Sequence, residues 1–177
     1  MTRLFPHRSG TRPRTHKGLP HQQLDQQPWD DTIRVQLAHR LVVLEGVIEA
    51  PSGISVPGAR ALVLRETTTS PPDAFLIGRE FAHLHPPPDY SLHISLPEQR
   101  AWEAIRAGWA EFHPLVEDGQ LPPTVVMVYA PRDEAELAVV SGLVQESYQF
   151  ARGQEHAAGT EGTETAADHA RRGPMPD

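Results

Sequence analysis

The sequence predicts an α+β domain in which a mainly antiparallel sheet of about four strands packs against about three helices. Near the middle of the chain, apolar and polar residues alternate on both sides of a proline-rich turn, which is typical of a β-hairpin. Segments before and after this hairpin repeat their apolar residues every three or four positions, which is typical of amphipathic helices. The predicted order is helix, strand, strand, strand, helix, strand, helix.

The composition excludes several classes of protein. The 177 residues include no cysteine, which excludes disulfides, cysteine-ligated metals and thiol catalysis. A net charge of -7 argues against nucleic acid as a partner. No apolar run approaches the ~20 residues that span a bilayer, and the first residues lack the apolar stretch of a secretion signal. We therefore expect a cytoplasmic protein with no membrane partner.

Three regions differ in composition. Residues 1–29 are polar, basic and rich in proline, glycine and glutamine, and are predicted to be a disordered tail. Residues 154–177 are a low-complexity, acidic sequence for which we also predict disorder. The apolar patterns lie between these tails, so residues 30–153 are predicted to fold as one domain.

The first predicted helix starts at the possible caps Asp30 and Asp31. Its apolar stripe runs as far as Ile48, and Pro51 and Gly53 follow its end. The apolar run within residues 60–65 predicts the first strand. Residues 74–77 begin the next one, and Gly78 is a candidate position for a bulge or bend.

The hairpin follows over residues 81–96 and presents two different faces. One face is apolar, and the other carries His83, His85 and His93. If His85 pairs with Ser91, His83 lies directly opposite His93, with Cβ atoms only about 4.5–5.5 Å apart. The pattern therefore predicts three imidazoles in one small patch.

Pro97 is well placed to start the second helix, which continues to about residue 107. Residues 109–115 are expected to form an irregular connection that partly covers the histidine face. The apolar segment 124–130 predicts a central strand. A final helix, capped by Asp133, extends to about residue 151.

Three interpretations of the hairpin histidines stay open. Together they match the donors of a Zn²⁺, Fe²⁺ or copper site with a free fourth position, with Glu80 or Glu111 as an acidic partner. Without a metal, the imidazoles can act as general acids and bases. They can also be ordinary polar residues on an exposed sheet face.

Three residues outside the hairpin also have alternative interpretations. His113 can close the pocket from the loop side or cap backbone groups. Arg132 can hold an anionic oxygen of a substrate, or form an ion pair at the start of the last helix. Trp109 can stack on a ligand or belong to the core.

Four motifs, in order, resemble the luciferase-domain family, which is named after the fungal luciferase. They are Glu-Phe-Ala-His-Leu-His-Pro from residue 80, Ser-Leu-His from 91, Gly-Trp-Ala-Glu-Phe-His-Pro-Leu from 108 and Tyr-Ala-Pro-Arg from 129. The resemblance covers about residues 32–153. It implies an oxygenase that adds dioxygen to a hydroxylated organic ring without a dissociable cofactor.

On this resemblance, His83, His85, His93 and His113 are candidates for the base that makes an enolate. Tyr129 and Arg132 are candidates for stabilising the anion. The residues of the matched motifs that we consider for substrate binding are Glu80, Ser91, Trp109 and Glu111.

The leading hypothesis is a small-molecule oxygenase or oxidoreductase. One alternative is a metal-dependent enzyme that uses His83, His85 and His93. The other is a non-catalytic domain that binds a small organic ligand. The sequence leaves the cofactor, the substrate and the oligomeric state open.

Overall fold

A computed structural model describes residues 4–29, 31–65 and 69–154 of the chain. It contains six strands, which are β1 (Val47–Pro51), β2 (Arg60–Leu64), β3 (Glu80–Leu84), β4 (Leu92–Ser95), β5 (Ala110–Phe112) and β6 (Val125–Val128). It contains four helices, which are α1 (Thr32–Val42), α2 (Glu98–Arg106), α3 (Pro114–Glu117) and α4 (Glu134–Ala151). A 3₁₀ turn over Pro72–Ala74 precedes β3.

The six strands form one sheet in the order β1-β2-β3-β4-β6-β5, and every neighbouring pair is antiparallel. This confirms the predicted α+β class. The sheet has two more strands than expected, β1 and β5, and the short helix α3 was not predicted. Strand β5 replaces the irregular connection expected over residues 109–115, and its pairing with β6 makes it an edge of the sheet.

The first helix is shorter than its apolar stripe predicts. It ends at Val42, and Gly46 adopts a φ of +71°, a left-handed conformation that favours glycine. Leu44 lies in the turn, and Ile48 belongs to β1, where it pairs with Val63. The spacing of three or four residues between apolar positions continues by coincidence into β1. The predicted extension of the helix to Ile48 is therefore wrong.

One face of the sheet forms the hydrophobic core. Helices α1 and α4 pack together and α4 contacts β3 and β4, while α2 contacts β5 and adds apolar residues to the same core. An ion pair between Arg100 and Glu146 joins α2 to α4. The α4 side chains within this core are fully buried, namely Leu137, Val140, Leu143 and Val144.

Strand β3 contains a bulge opposite β2. The pairing passes from Ala82 directly to Glu80, so Phe81 is the extra residue. Alternation therefore reverses at this end of the strand. Phe81 packs in the core beside Tyr148, and Glu80 lies on the opposite face next to His83. Strict alternation would place Glu80 on the apolar side, and the bulge at Phe81, rather than at Gly78, corrects that expectation.

Residues 4–29, hereafter the N-terminal segment, lie against the rest of the chain. The backbone N–H of Arg8 donates to Ala107 O at 2.8 Å, and Trp109 Nε1 donates to Pro6 O at 2.6 Å. His21 is only 3% exposed. The expectation of a disordered tail over residues 1–29 is therefore corrected for residues 4–29. A polar sequence remains ordered here because its side chains find partners in the domain.

The predicted tail over residues 154–177 lies outside the described residues, apart from residue 154. Over the part of the chain that the structure describes, each helix is too short or too polar to cross a bilayer.

Candidate functional site

The hairpin of β3 and β4 has the expected register. His83 pairs with His93, and the backbone N–H of His85 donates to Ser91 O at 3.0 Å. The adjoining residues Ala82, Leu84, Leu92 and Ile94 face the core, so the three imidazoles share the opposite face. The alternation in the sequence predicts this shared face.

Five imidazoles meet on this face around His93. His83 Nε2 lies 3.0 Å from His93 Nδ1, and His85 Nε2 lies 3.1 Å from the same atom. His93 Nε2 lies 3.1 Å from His21 Nδ1. The centroid of the His113 ring is 4.9 Å from that of His93 and 5.3 Å from that of His21. We call His21, His83, His85, His93 and His113 the histidine cluster.

The chemical state of His93 is strongly affected by this position. Burial, followed by the nearby imidazoles of His83, His85, His21 and His113, lowers the pKa of His93 well below its ordinary value. Burial also lowers the pKa of His83, and this effect exceeds the opposing hydrogen bond to Glu80. Both rings are therefore neutral at pH 7.

Glu80 holds the outer nitrogen of His83. His83 Nδ1 donates to Glu80 Oε1 at 2.7 Å, and Ser52 Oγ and Gly53 N donate to the same carboxylate at 2.7 and 2.9 Å. Burial alone would raise the pKa of Glu80, but the hydrogen bonds from His83, Gly53 and Ser52 hold that pKa below its ordinary value. The ionised carboxylate only accepts, so the proton of neutral His83 resides on Nδ1.

Asp89 holds His85 in the same way. His85 Nδ1 donates to Asp89 Oδ2 at 2.7 Å and lies 3.0 Å from Ser91 Oγ. The backbone N–H groups of Ser91 and Gln23 also donate to Asp89, at 2.9 and 3.3 Å. Burial opposes ionisation of Asp89, but the hydrogen bonds from His85 and Ser91 lower its pKa overall. The proton of neutral His85 is therefore on Nδ1, and its Nε2 has a free lone pair.

Glu111 on β5 holds His21. His21 Nε2 donates to Glu111 Oε1 at 2.8 Å, while Lys17 Nζ and Tyr129 OH donate to Oε2 at 2.9 and 3.1 Å. Burial raises the pKa of Glu111, but hydrogen bonds from His21, Lys17 and Thr15 outweigh it and lower the pKa to about 2. Burial and the Glu111 charge raise the pKa of Tyr129, so its hydroxyl stays protonated.

His113 has the opposite proton arrangement. It caps α3, and its Nδ1 accepts a hydrogen bond from the backbone N–H of Leu115 at 3.2 Å. Because a backbone amide can only donate, Nδ1 has a lone pair and the proton of neutral His113 is on Nε2. Burial, followed by the charges of the other histidines, lowers the pKa of His113 to about 4, so the ring is neutral at pH 7.

A cavity of about 380 Å³ opens beside the histidine cluster. All five imidazoles contribute to one side of its wall. The rest of the wall is mainly apolar and comes from the N-terminal segment, from several loops and from the start of β6, through Leu19, Pro20, Ile54, Ser55, Val56, Leu76, Leu121 and Val125. The cavity is therefore bounded mainly by the N-terminal segment and these loops. From residues 109–115, which were expected to cover it partly, His113 contributes to the wall.

Several residues considered from the sequence lie away from this wall. Trp109 belongs to the core and is 4% exposed. Arg132 forms an ion pair with Glu136 and donates to Ser9 O at 3.0 Å, which matches the interpretation as a helix-start ion pair. Tyr129 reaches the cluster only through Glu111.

Sequence reasoning missed two residues of the site. His21 stands in a proline- and glutamine-rich stretch with no strand or helix pattern, so nothing local relates it to the hairpin. Asp89 lies in the turn, four residues after His85. That spacing between an acid and a histidine is the signal that could have identified it.

Among the residues that the structure describes, two overlapping groups of three histidines have nitrogen atoms that lie within 4.8 Å of one another. One group is His83, His85 and His93, and the other is His21, His93 and His113. Both groups have the nitrogen donors that divalent transition metals prefer.

Comparison with known proteins agrees with the motifs. The family model described as the luciferase domain matches residues 78–147. Proteins named luciferase from Armillaria mellea, Armillaria gallica and Neonothopanus nambi are 45%, 44% and 42% identical to the chain over 74 residues. Each match covers 41% of this chain and 28% of the relative. No solved structure matches the chain.

The matched segment contains β3, β4, α2, β5, α3, β6 and most of α4, and with them four of the five clustered histidines. His21 lies outside it. Residues 78–147 are therefore similar to the luciferase-domain family, and the match spans 28% of the length of the relatives.

Proposed function

We propose that the chain is an enzyme that joins dioxygen to a small, enolisable organic molecule in the cavity beside the histidine cluster. The observation that supports this most directly is that the five imidazoles of the histidine cluster line an otherwise mainly apolar cavity. The resemblance described above implies dioxygen chemistry, and the relatives that match are named luciferase. Because the match covers 28% of those relatives, their activity is extended to this chain only as a proposal.

The cavity suits a compact, partly apolar substrate. Its volume of about 380 Å³ lies within the range of roughly 300–1,000 Å³ that is usual for small-molecule sites. A flat unsaturated ring would pack against the apolar side chains of Leu19, Ile54 and Val56. Its hydroxyl or carbonyl oxygen would then face the imidazoles, which supply the polar contacts that orient a ligand.

The proton positions give the histidines different roles. His83 Nε2 and His85 Nε2 have free lone pairs in the neutral rings, so they can accept the proton that the substrate loses. His113 has its proton on Nε2 and can donate to the oxygen on which negative charge develops. Glu80 and Asp89 act as positioning residues, since they hold the outer nitrogens of His83 and His85.

The reaction balances without another reactant. A base removes a proton from the substrate R–H, and the resulting anion supplies the electron pair of a new carbon–oxygen bond to dioxygen. The distal oxygen then takes the proton back, so that R–H and O₂ give the hydroperoxide R–O–OH. Dioxygen is reduced to the level of peroxide, and the substrate carbon is oxidised.

Oxygen uptake by the purified full chain, measured against a panel of hydroxylated pyrones and other enolisable compounds, tests the proposal. We expect uptake with at least one compound, and a loss of about 10²–10³-fold in kcat for His113→Ala, as for removal of one oxyanion donor. His39→Ala is the matched control, because His39 is exposed on α1 and should leave uptake unchanged.

Two results would contradict the proposal. Uptake that is equal in the wild type and in His83→Ala, with both folded by circular dichroism, would show that the histidine cluster is not the reaction site. Binding of a panel compound with no oxygen consumption would favour a non-catalytic ligand-binding domain. The metal-dependent alternative is favoured by a separate observation, which is the carboxylate behind each of His83 and His85.

A further inference from the structure

The nitrogen atoms that face one another inside the histidine cluster outnumber the protons that neutral rings can place between them. The ionised carboxylates of Glu80 and Asp89 accept from His83 Nδ1 and His85 Nδ1 at 2.7 Å each. The inner Nε2 atoms of the two neutral rings therefore have lone pairs. Both lone pairs point at a single atom, His93 Nδ1, from 3.0 and 3.1 Å.

The other side of His93 decides where its proton lies. His21 donates from Nε2 to Glu111 at 2.8 Å, so His21 Nδ1 is an acceptor when that ring is neutral. This acceptor lies 3.1 Å from His93 Nε2. A neutral His93 has one proton, and placing it on Nε2 completes a chain of hydrogen bonds from His93 through His21 to Glu111. His93 Nδ1 then has a lone pair as well.

Three lone pairs thus converge, on His83 Nε2, His85 Nε2 and His93 Nδ1. Without a further positive centre they repel one another at these distances. A metal ion satisfies all three atoms and leaves each ring neutral.

We infer that His83, His85 and His93 bind a divalent transition-metal ion, with Zn²⁺ or Fe²⁺ as the best-fitting class. Each ligand has its outer nitrogen held by an acid, directly by Glu80 for His83 and Asp89 for His85, and through His21 to Glu111 for His93. Carboxylates behind histidine ligands in this way are a regular feature of protein metal sites.

The distances fit such an ion. Two ligands of a tetrahedral zinc ion, each about 2.0–2.1 Å from the metal, lie roughly 3.3 Å apart. The separations of 3.0 and 3.1 Å at His93 Nδ1 differ from this by only a few tenths of an ångström. Three neutral imidazoles leave the charge of the ion uncompensated, and the acids behind them supply the opposite charge.

The proton on His113 distinguishes the two possible groups of three. His113 Nδ1 accepts from Leu115 N–H, so Nε2 of the neutral ring has a proton and no free lone pair. The group His21, His93 and His113 therefore lacks a ligand atom that the group His83, His85 and His93 possesses. His113 remains available as a donor beside the fourth position of the ion, on the cavity side.

This inference concerns the same cavity as the proposed function and deepens it. With an ion bound, the lone pairs of His83 and His85 are no longer free to accept the substrate proton, and the ion itself would promote its loss. Metal binding does not depend on a substrate. An ion there would supply a Lewis acid that lowers the pKa of a hydroxyl bound to it. The site is thus compatible with oxygenase and with hydrolase chemistry.

Metal binding by the untagged full chain tests the inference. After dialysis against a chelator, Zn²⁺ is titrated by calorimetry and Co²⁺ by its visible absorption. We expect one equivalent per chain, with the intense bands of a low-symmetry cobalt site. His93→Asn should abolish this equivalent, and Glu80→Gln should weaken binding about 10–100-fold. His39→Asn, on an exposed position of α1, should bind as the wild type does.

His113→Asn decides between the two groups, and we expect no change in metal affinity. Less than about a tenth of an equivalent in the wild type would overturn the inference, since structured metal sites bind tightly. So would equal binding by His93→Asn and the wild type, or equal losses in His113→Asn and His93→Asn. If His93→Asn fails to fold, Glu80→Gln replaces it as the test, and an unchanged metal affinity of Glu80→Gln counts against the site.

The outcomes separate this inference from the proposed function. Oxygen uptake by metal-free protein that binds no ion would overturn the metal site and leave the oxygenase standing. One bound equivalent with no oxygen uptake on any compound would do the reverse.

Discussion

Glu111 joins three donors to a single carboxylate. His21, Lys17 and Tyr129 all donate to it, and Tyr129 directly follows β6, the strand next to β5. Its ionised form is thus stabilised in the folded protein much more than in the unfolded chain. Charged hydrogen bonds of this kind are each worth about 1.5–3 kcal/mol.

This predicts a pH-dependent effect of Glu111→Gln on stability. The folded pKa of about 2 lies below the ordinary value of 4.5, so the contribution is complete above 4.5 and is lost as the pH falls towards 2. Urea unfolding at a series of pH values should show the variant less stable at pH 7, with the difference shrinking below 4.5.

Glu117→Gln, at an exposed position of α3, is the matched control and should have little effect at any pH. A stability difference for Glu111→Gln that stays constant down to about pH 3 would mean that the ionised form is not what stabilises this position.

The face of the sheet on which each hairpin side chain lies could be predicted, because the alternation of apolar and polar residues assigns it directly. His83, His85 and His93 are of this kind. Glu80 could not be assigned, since the bulge at Phe81 depends on pairing with β2. His21 could not be assigned at all, because its place is determined by contacts with residues about 70 to 90 positions away.

At the scale of elements, the N-terminal segment is held to the sheet by hydrogen bonds that involve side chains, and not by the backbone pairing of strands. Gln23 is 3% exposed, and its Oε1 accepts from the backbone N–H of Ala130 at 2.8 Å. Its own backbone N–H donates to Asp89. Such a segment has no repeating pattern, which explains why its composition alone suggested disorder.

Gln23→Ala should therefore loosen the N-terminal segment without disturbing the core. It leaves the buried Ala130 N–H without a partner, at a cost of about 1–3 kcal/mol. Hydrogen exchange should become faster in residues 14–27 and stay unchanged in α4. Gln22→Ala, the same substitution one position earlier, is the control. Equal protection of the segment in wild type and Gln23→Ala would contradict this account.

The predicted and unpredicted elements also differ in a physical way. Helix α4 and strand β6 were predicted because each is long or apolar enough to be recognised locally. Strand β5 has three residues, and it exists only because β6 pairs with it. Helix α1 was predicted too long, since the left-handed turn at Gly46 interrupts a stripe that would otherwise continue.

For the whole molecule, the side chains that stabilise the fold and those of the candidate site lie on opposite faces of the sheet. One face buries the side chains that pack with α1, α2 and α4, and the other face holds the histidine cluster beneath the N-terminal segment. The core does not include any member of the cluster. The fold should therefore survive changes at the site.

Metal removal should test this separation. We expect the chelator-treated protein to keep its helical circular dichroism, because the core needs no ion. Adding Zn²⁺ at 100 times its Kd should stabilise the fold by about 2.7 kcal/mol. For a domain of this size, that raises Tm by roughly 5–10 °C. Loss of helical signal on chelation would show that the core depends on the site. An unchanged Tm with zinc would speak against binding to the folded state.

The position of His21 outside the segment that matches the luciferase-domain family model has a practical meaning for engineering. Part of the cavity wall is supplied by residues 19–21, which form no part of the six-stranded sheet. Randomising Leu19 and Pro20, which line the cavity, would therefore change its shape while the sheet keeps its sequence. Variants that bind different ligands could be selected from such a library without redesigning the hairpin.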